Sequence, residues 1–454
     1  MGSYRWTICA LLFFATTINY LDRQVLSLLQ PLLSKEFGWT NTDYANITAA
    51  FQFIYALAVI FAGRFIDWVG TRKGYVWAIA IWSIGAAIHA FAIGMGESVS
   101  RGFMLLGIAL PVSVSVIGFM MARVALAVGE AGNFPAAVKT VGEWFPRKER
   151  SLATGIFNSG ANVGAILAPL SVPLIAGIWG WQAAFLIVGC IGFLWIVFWF
   201  RFYDTPKRML AKGRVTRGEY DYINDRESII EEAPKEKKKE RVSFCKLLTY
   251  RQTWSFFFGK FMTDGVWWFF LFWLPAYLKT QYNLEGTQIM WPLTVLYSMT
   301  MVGSICGGWF PVFFMKRGFE PYKARMRAML IIALVPLVVL LAQPLGGVSM
   351  WIPIVLIGAG CSAHQAWAAN IYSTVSDMFP NKAVATITGI GTMAGGVSGV
   401  IISKAAGALF DHYEALGCLN VGYTIVFSFC AVAYVAAWFI MKVLVPKFRP
   451  ITDL

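Results

Sequence analysis

The chain has 454 residues, of which 58% are hydrophobic and only 14% charged, with a formal net charge of +14 at pH 7. A soluble globular domain carries charged residues at about 25%, so the composition excludes that class and implies a membrane protein. The positive balance comes from lysines and arginines in the connections between apolar segments, so nucleic acid need not be invoked as a partner.

Runs of about 20 mainly apolar residues can each cross a hydrocarbon core of about 30 Å as a helix. In chain order they cover residues 6–28, 44–66, 75–95, 114–137, 152–176, 182–202, 254–280, 288–314, 326–343, 350–373, 385–409 and 421–443, twelve in all. A strand of a membrane barrel needs only about 9 to 11 alternating residues, so run length predicts helices and an all-α integral membrane protein. Residues 1–202 then form an N-terminal six-helix bundle, 203–252 a cytoplasmic linker, 253–446 a C-terminal six-helix bundle and 447–454 a cytoplasmic tail. The linker carries the run EEAPKEKKKERVSF, which suits a solvated segment that sets topology and touches anionic lipid.

Lysine and arginine mark the cytoplasmic side of a membrane protein. Arg64, Arg72 and Lys73 follow the second helix, Arg147, Lys148 and Arg150 the fourth, and Lys316, Arg317, Lys323, Arg325 and Arg327 the eighth. The alternate loops, QPLGGVSM and DHYEALGCLN, are almost bare of them, which predicts that both termini are cytoplasmic. The start of the chain lacks a signal-peptide cleavage pattern, so the first helix is expected to be retained. Seven cysteines are scattered without CxxC spacing and read as apolar packing residues, with no disulfide, metal or cofactor expected.

One phrase occurs twice. TVGEWFP at 140–146 returns as TVSDMFP at 374–380, 234 positions on, and the match extends through TVGEWFPRKERSLATGI over TVSDMFPNKAVATITGI. Both copies fall between a fourth and a fifth helix of a six-helix unit, so the two halves run through the membrane in the same direction. Parallel repeats of this kind are the arrangement of the major facilitator transporters.

Local motifs carry the same resemblance. GRFIDWVGTRKG, Gly63 to Gly74, resembles the signature between helices 2 and 3 of the major facilitator superfamily. NYLDR (Asn19 to Arg23), RVALAVGEAGNFPA (Arg123 to Ala136) with EWFPRKERS after it, and FNSG (Phe157 to Gly160) resemble its anion:cation symporter branch. GCSAHQA, Gly360 to Ala366, is similar to bacterial hexuronate transporters. The second-half counterpart of the Gly63 signature, residues 307–318, departs from the pattern with Val312 at the acidic position.

A charged side chain in the bilayer interior costs about 2.5 to 3.5 kcal/mol on insertion scales, so each one asks for a reason. The predicted spans contain Asp22, Arg23, Arg123, Glu130, Lys260, Asp264 and His364. Glu130 and His364 are separated by the repeat interval of 234, which places them at equivalent positions on helices expected to line the central cavity. Arg123 and Glu130 stand two turns apart, about 10.5 Å along one helix, too far for a direct ion pair. Arginine offers a permanent charge and a planar fork suited to a carboxylate. A carboxyl group in a dry bundle has its charged form disfavoured and suits proton uptake and release.

The resemblance implies roles for these groups: Asp22 and Glu130 as proton carriers and Arg23 as the contact to a substrate carboxylate, with Tyr55 matching a substrate-binding tyrosine. His364 is a candidate for coupling or for donation to substrate, and Arg123 for an anion clamp. Ala161 replaces a glutamine of sugar-acid relatives, which makes the neighbouring Asn162 a candidate in its place. Trp267 and Trp268 could stack on a sugar ring, while Tyr277, Gln365, Asn370 and Tyr372 are candidates for hydroxyl recognition. Asp67, Arg72 and Lys73 are assigned to gating contacts at a cytoplasmic helix end, and His89 and His412 to structural and loop positions.

The expectation is a monomeric, proton-coupled importer of a sugar-acid anion in the bacterial inner membrane, hexuronate first and aldonate second. Because a carboxylate holds a proton or a sodium ion, sodium coupling stays open. An organophosphate or organic-anion exchanger clamping its cargo with Arg23 and Arg123 is the alternative. An enzyme is not expected, since no metal-ligand cluster, nucleophile with a partner histidine or phosphate loop is visible.

Overall fold

A computed structural model of the chain describes residues 3–106, 111–224 and 244–451, and every regular element among them is helical. The first half comprises α1 (Tyr4–Phe37), α2 (Asn41–Val69), α3 (Thr71–Ile88), α4 (Ala92–Leu105), α5 (Val114–Glu130), α6 (Asn133–Trp144), α7 (Arg147–Trp179) and α8 (Trp181–Phe202). Short helices α9 (Pro206–Ala211), α10 (Arg217–Ile223) and α11 (Phe244–Leu247) flank the connection, whose predicted basic run lies almost wholly outside the described residues. The second half comprises α12 (Arg251–Tyr282), α13 (Met290–Met315), α14 (Pro321–Leu334), α15 (Ala342–Leu345), α16 (Trp351–Met378), α17 (Asn381–Ala415) and α18 (Leu419–Leu444).

Ten helical stretches are long and apolar enough to cross a membrane. The remaining two long helices, α1 and α12, carry the charged pairs Asp22/Arg23 and Lys260/Asp264, which make them more polar than the rest. With them the chain has twelve spans among the described residues. Among the boundaries that differ from expectation, two have a local cause. The third span continues through a short 3₁₀ turn and α4 to Leu105, because its polar end stays helical while exposed. The fourth breaks after Glu130 into α5 and α6, where Gly132 precedes Asn133 and the first turn of α6 contains Pro135, which has no N–H to donate.

Small residues set the close helix contacts, as is usual where lipid removes the hydrophobic drive between helices. A Cβ on Gly160 or Gly164 of α7 would stand 2.4 Å from the carbonyl oxygen of Phe13 or Thr17 on α1, so the FNSG motif lets these two helices meet. Gly70 ends α2 with φ +86°, a conformation that favours glycine, and reverses the chain into α3. Buried His89 gives a structural contact, with Nδ1 2.7 Å from the Gly85 carbonyl and its ring stacked on Phe185.

The halves meet along two symmetry-related seams, α2 against α17 and α7 against α13, with α1 also touching α12. The polar contacts along α2 and α17 lie toward the ends remote from the chain termini. Asp411 accepts hydrogen bonds from the backbone N–H groups of Asn41 and Thr42, both at 2.8 Å, so a carboxylate from one half caps the first turn of a helix in the other. Asn41 Nδ2 donates to Glu414 at 2.7 Å, Lys404 reaches Asn46, Ser403 donates to Gln52 at 3.1 Å, and Tyr44 donates to the Phe272 carbonyl at 2.7 Å. These contacts seal the face opposite the termini.

Each charge-assisted hydrogen bond contributes about 1.5–3 kcal/mol. Asp411→Ala is therefore expected to shift the closed-to-open balance at this face by roughly tenfold or more. Spin labels replacing the exposed Trp179 and Trp291, one in each half, should report a longer distance population in the variant. An unchanged distribution would show that the cap does not hold the seal.

Candidate functional site

The charged residues of the first half converge where α1, α2 and α5 meet. Adjacent residues on a helix diverge by about 100°, and Arg23 turns toward α5. Its Nε donates to Glu130 Oε2 at 2.8 Å, and Nη2 stands 2.6 Å from the same oxygen. Both side chains are buried. The guanidinium is walled by Tyr20 at 4.8 Å, Tyr55 at 5.0 Å, Trp268 at 5.4 Å and Phe51 at 5.5 Å to the ring centroids. A desolvated cation gains roughly 0.5 to 2 kcal/mol from an aromatic face, so the wall offsets part of the cost of burying this charge.

Arg123 and Glu130 find separate partners, as their two-turn spacing requires. Arg123 donates Nη1 and Nη2 to the main-chain oxygen of Arg23 at 3.2 and 3.3 Å, and its guanidinium lies over Phe51 and Phe272 at 5.4 and 5.9 Å. Glu130 Oε1 and both carboxylate oxygens of Asp22 are buried without a hydrogen-bond partner among the described residues. A buried carboxylate oxygen left that way is costly, and three of them beside two arginines leave room for a proton or an anion to rearrange the set.

The second half reaches this cluster through neighbouring tryptophans on α12. Trp268 faces Arg23 and packs on Tyr55, with centroids 6.2 Å apart. Trp267 turns the other way and stacks on the His364 imidazole at 5.0 Å, nearly parallel. His364 Nδ1 is 2.8 Å from the Tyr434 hydroxyl. Glu130 and His364, the repeat-related pair, are thus both buried in their own halves with different partners.

The remaining candidates separate. Asn162 and Gln365 are half-buried. Asn370 donates Nδ2 to the carbonyls of Gly307 and Ala366, both at 2.8 Å, and so clamps α16 to α13. Tyr277 is buried among Tyr282, Tyr423 and Phe427, outside the Arg23 wall. The Tyr372 ring lies under the Lys260 ammonium at 4.7 Å, and Lys260 Nζ is 2.7 Å from Asp264 Oδ2.

The gating candidates Asp67 and Arg72 make contacts within the first half. Asp67 pairs with Lys139 at 2.9 Å, Arg72 reaches Asp204 at 3.3 Å, and Lys73 is exposed. Burial of Asp204 opposes its charge, but hydrogen bonds from Lys212 and the Thr205 N–H, together with Arg72, outweigh this and hold its carboxyl below the usual range. Its contribution to stability is therefore present above the ordinary aspartate pKa of about 3.9 and is lost as pH falls through the lower folded value.

Phe51, Tyr20 and Tyr434 escaped the sequence reading, because nothing in an aromatic residue's type separates a cavity wall from a lipid-facing position. Gln52 also escaped it. Lys260 and Asp264 were visible as charges one helical turn apart but had no assigned role.

The model of the Major Facilitator Superfamily matches residues 12–403. A hexuronate transporter of Escherichia coli is 28% identical over 409 residues, covering 90% of this chain and 88% of that protein. A D-galactonate transporter of the same species is 28% identical over 417 residues, covering 91% and 90%. Among solved structures, a bacterial homologue of the human lysosomal transporter Spinster in an inward-facing, occupied conformation superposes with a TM-score of 0.74 at 17% identity, over 100% of both chains. At that identity the likeness is one of fold.

Asn370 provides a test of packing against recognition. Asn370→Ala is expected to cost about 1–3 kcal/mol of stability by leaving the Gly307 carbonyl unpaired, since Pro311 one turn on has no N–H to offer, read as a lower Tm in detergent, with the substrate KM changed less than about threefold. A large rise in KM at unchanged Tm would instead place the amide on the substrate.

Proposed function

The chain belongs to the Major Facilitator Superfamily, and from that premise we propose that it is a proton-coupled symporter of small sugar-acid anions, hexuronates first, working by alternating access in the bacterial inner membrane. The named relatives are a hexuronate and a D-galactonate transporter, which support a sugar-acid cargo and transport rather than enzymatic turnover. The observation that carries the coupling is the Arg23–Glu130 pair: one carboxylate oxygen occupies the fork that a substrate carboxylate would need.

The mechanism follows from competition for that fork. A proton on Glu130 cancels its charge and releases Arg23, whose guanidinium then accepts the carboxylate of the cargo bidentately. Loss of the proton returns Glu130 to Arg23 and expels the anion. Asp22, adjacent to Arg23 and without a hydrogen-bond partner among the described residues, is the second carboxyl group available to carry a proton. Tyr55 and Trp268 frame the sugar, and His364 on Trp267 presents a hydrogen-bonding group from the second half. Cargo and proton are each stable here mainly with the other present, so the empty and doubly loaded forms reorient while half-loaded forms do not.

Cytoplasmic termini, as the lysine and arginine distribution predicts, would make the face held by Asp411 the outer one. The exchanger reading is weaker, because Arg123 already directs both Nη groups to the Arg23 carbonyl.

In proteoliposomes with an inward proton gradient, the wild-type protein should accumulate labelled glucuronate. Glu130→Gln should lose gradient-driven accumulation by about tenfold or more while keeping exchange of internal for external substrate, since a neutral side chain mimics the protonated acid. Accumulation that ignores a proton ionophore would sink the proposal. Arg23→Lys keeps the charge but loses the fork and should raise KM by about tenfold; an unchanged KM would remove the carboxylate from Arg23.

A further inference from the structure

Lys260 and Asp264 form an ion pair within one membrane-embedded helix, with Nζ 2.7 Å from Oδ2 and side chains only 6% and 15% exposed. The ammonium lies over Tyr372 of α16, 4.7 Å from the ring centroid. Asp264 is pressed onto α17, where a Cβ on Gly395 would stand 2.1 Å from Oδ2 and 2.8 Å from both Cβ and Cγ. Glycine at that position makes the room this carboxylate occupies. Two charges taken out of water repay their desolvation poorly, and apolar residues of similar size are often as stable or more so. The pair therefore asks for a reason beyond packing.

Its place on the helix suggests one. Residues 260, 264 and 268 follow each other at four-residue steps, about 6 Å apart along one face of α12. Trp268 is part of the wall around Arg23. The pair thus lies one and two turns from Trp268, toward the end of α12 nearer the interdomain linker, and packs on Tyr372 and Gly395 of its own half. Arg23 supplies one cation for one carboxylate. At the other end, Asp264 has already cancelled the charge of Lys260, and the pair offers a donor and an acceptor with no net charge. That combination suits hydroxyl groups, which both give and take hydrogen bonds, and it leaves no unmatched cation to offset the desolvation of a second carboxylate.

We propose that the Lys260–Asp264 pair reads the end of the cargo remote from its carboxylate and restricts the protein to sugar acids bearing a single carboxylate. The proposal rests on the sugar-acid reading above and adds a specificity-determining pair from the second half.

The test is competition against labelled galacturonate exchange in proteoliposomes by unlabelled galacturonate, galactonate and galactarate, which share stereochemistry and differ at their ends. The wild-type protein should prefer either monocarboxylate over galactarate by about tenfold or more. Asp264→Asn leaves Lys260 as an unmatched cation and should improve galactarate relative to galacturonate by about tenfold. Adding Lys260→Met to Asp264→Asn should abolish that gain, a pattern that a merely structural role does not produce. Equal competition by galactarate and galacturonate in the wild type overturns the proposal without any variant, as does an unchanged ratio in an active Asp264→Asn protein. A wild-type protein that exchanges none of the sugar acids overturns the functional reading itself, and this inference with it.

Discussion

A guanidinium that cannot reach water must be met by an anion or by aromatic faces, and Arg23 is met by both. That requirement organises the centre of the molecule. Glu130 arrives from α5 at the residue where that helix ends, Tyr55 and Phe51 come from α2, and Trp268 comes from the other half. One cation thereby joins elements that otherwise belong to separate bundles. Removing its carboxylate partner, by a proton or by a competing anion, necessarily disturbs contacts on both sides of the molecule.

The two halves have diverged around this centre. Where the first half carries Glu130 at a break between helices, the second carries His364 within the unbroken α16. The first half holds one carboxylate paired to Arg23 and a second, Asp22, without a hydrogen-bond partner among the described residues, whereas the second holds a matched ion pair and an imidazole bonded to a tyrosine. Equivalent backbone positions therefore carry different side-chain chemistry, and the proposed roles differ with it: charge exchange for one side, shape and hydroxyl recognition for the other.

Much of this was legible before any coordinates. Apolar run length is a direct consequence of bilayer thickness, so the helices were legible in number and type, and the TVGEWFP repeat pointed to their grouping. Charged residues inside spans are rare, so Asp22, Arg23, Arg123 and Glu130 identified themselves. The exclusion of an Arg123–Glu130 pair followed from helical rise alone. What could not be read was partner choice. The chain has 36 Phe, 19 Trp and 17 Tyr, so aromatic type did not reveal that Phe51 and Trp268 wall the cation. Asn370 looked like a polar group awaiting cargo, yet its amide holds two helices together through carbonyls that no sequence displays. The meaning of Lys260 and Asp264 depended on Gly395, a residue more than a hundred positions away.

The cap on α2 has a consequence for how this protein tolerates change. Asp411 grips the main-chain N–H groups of residues 41 and 42 rather than their side chains. Almost any residue except proline can supply such a group, whereas few side chains can replace the carboxylate that receives it. The seal between the halves should therefore impose an uneven constraint on evolutionary drift, strict at 411, looser at 42, and intermediate at 41, whose side-chain amide also reaches Glu414.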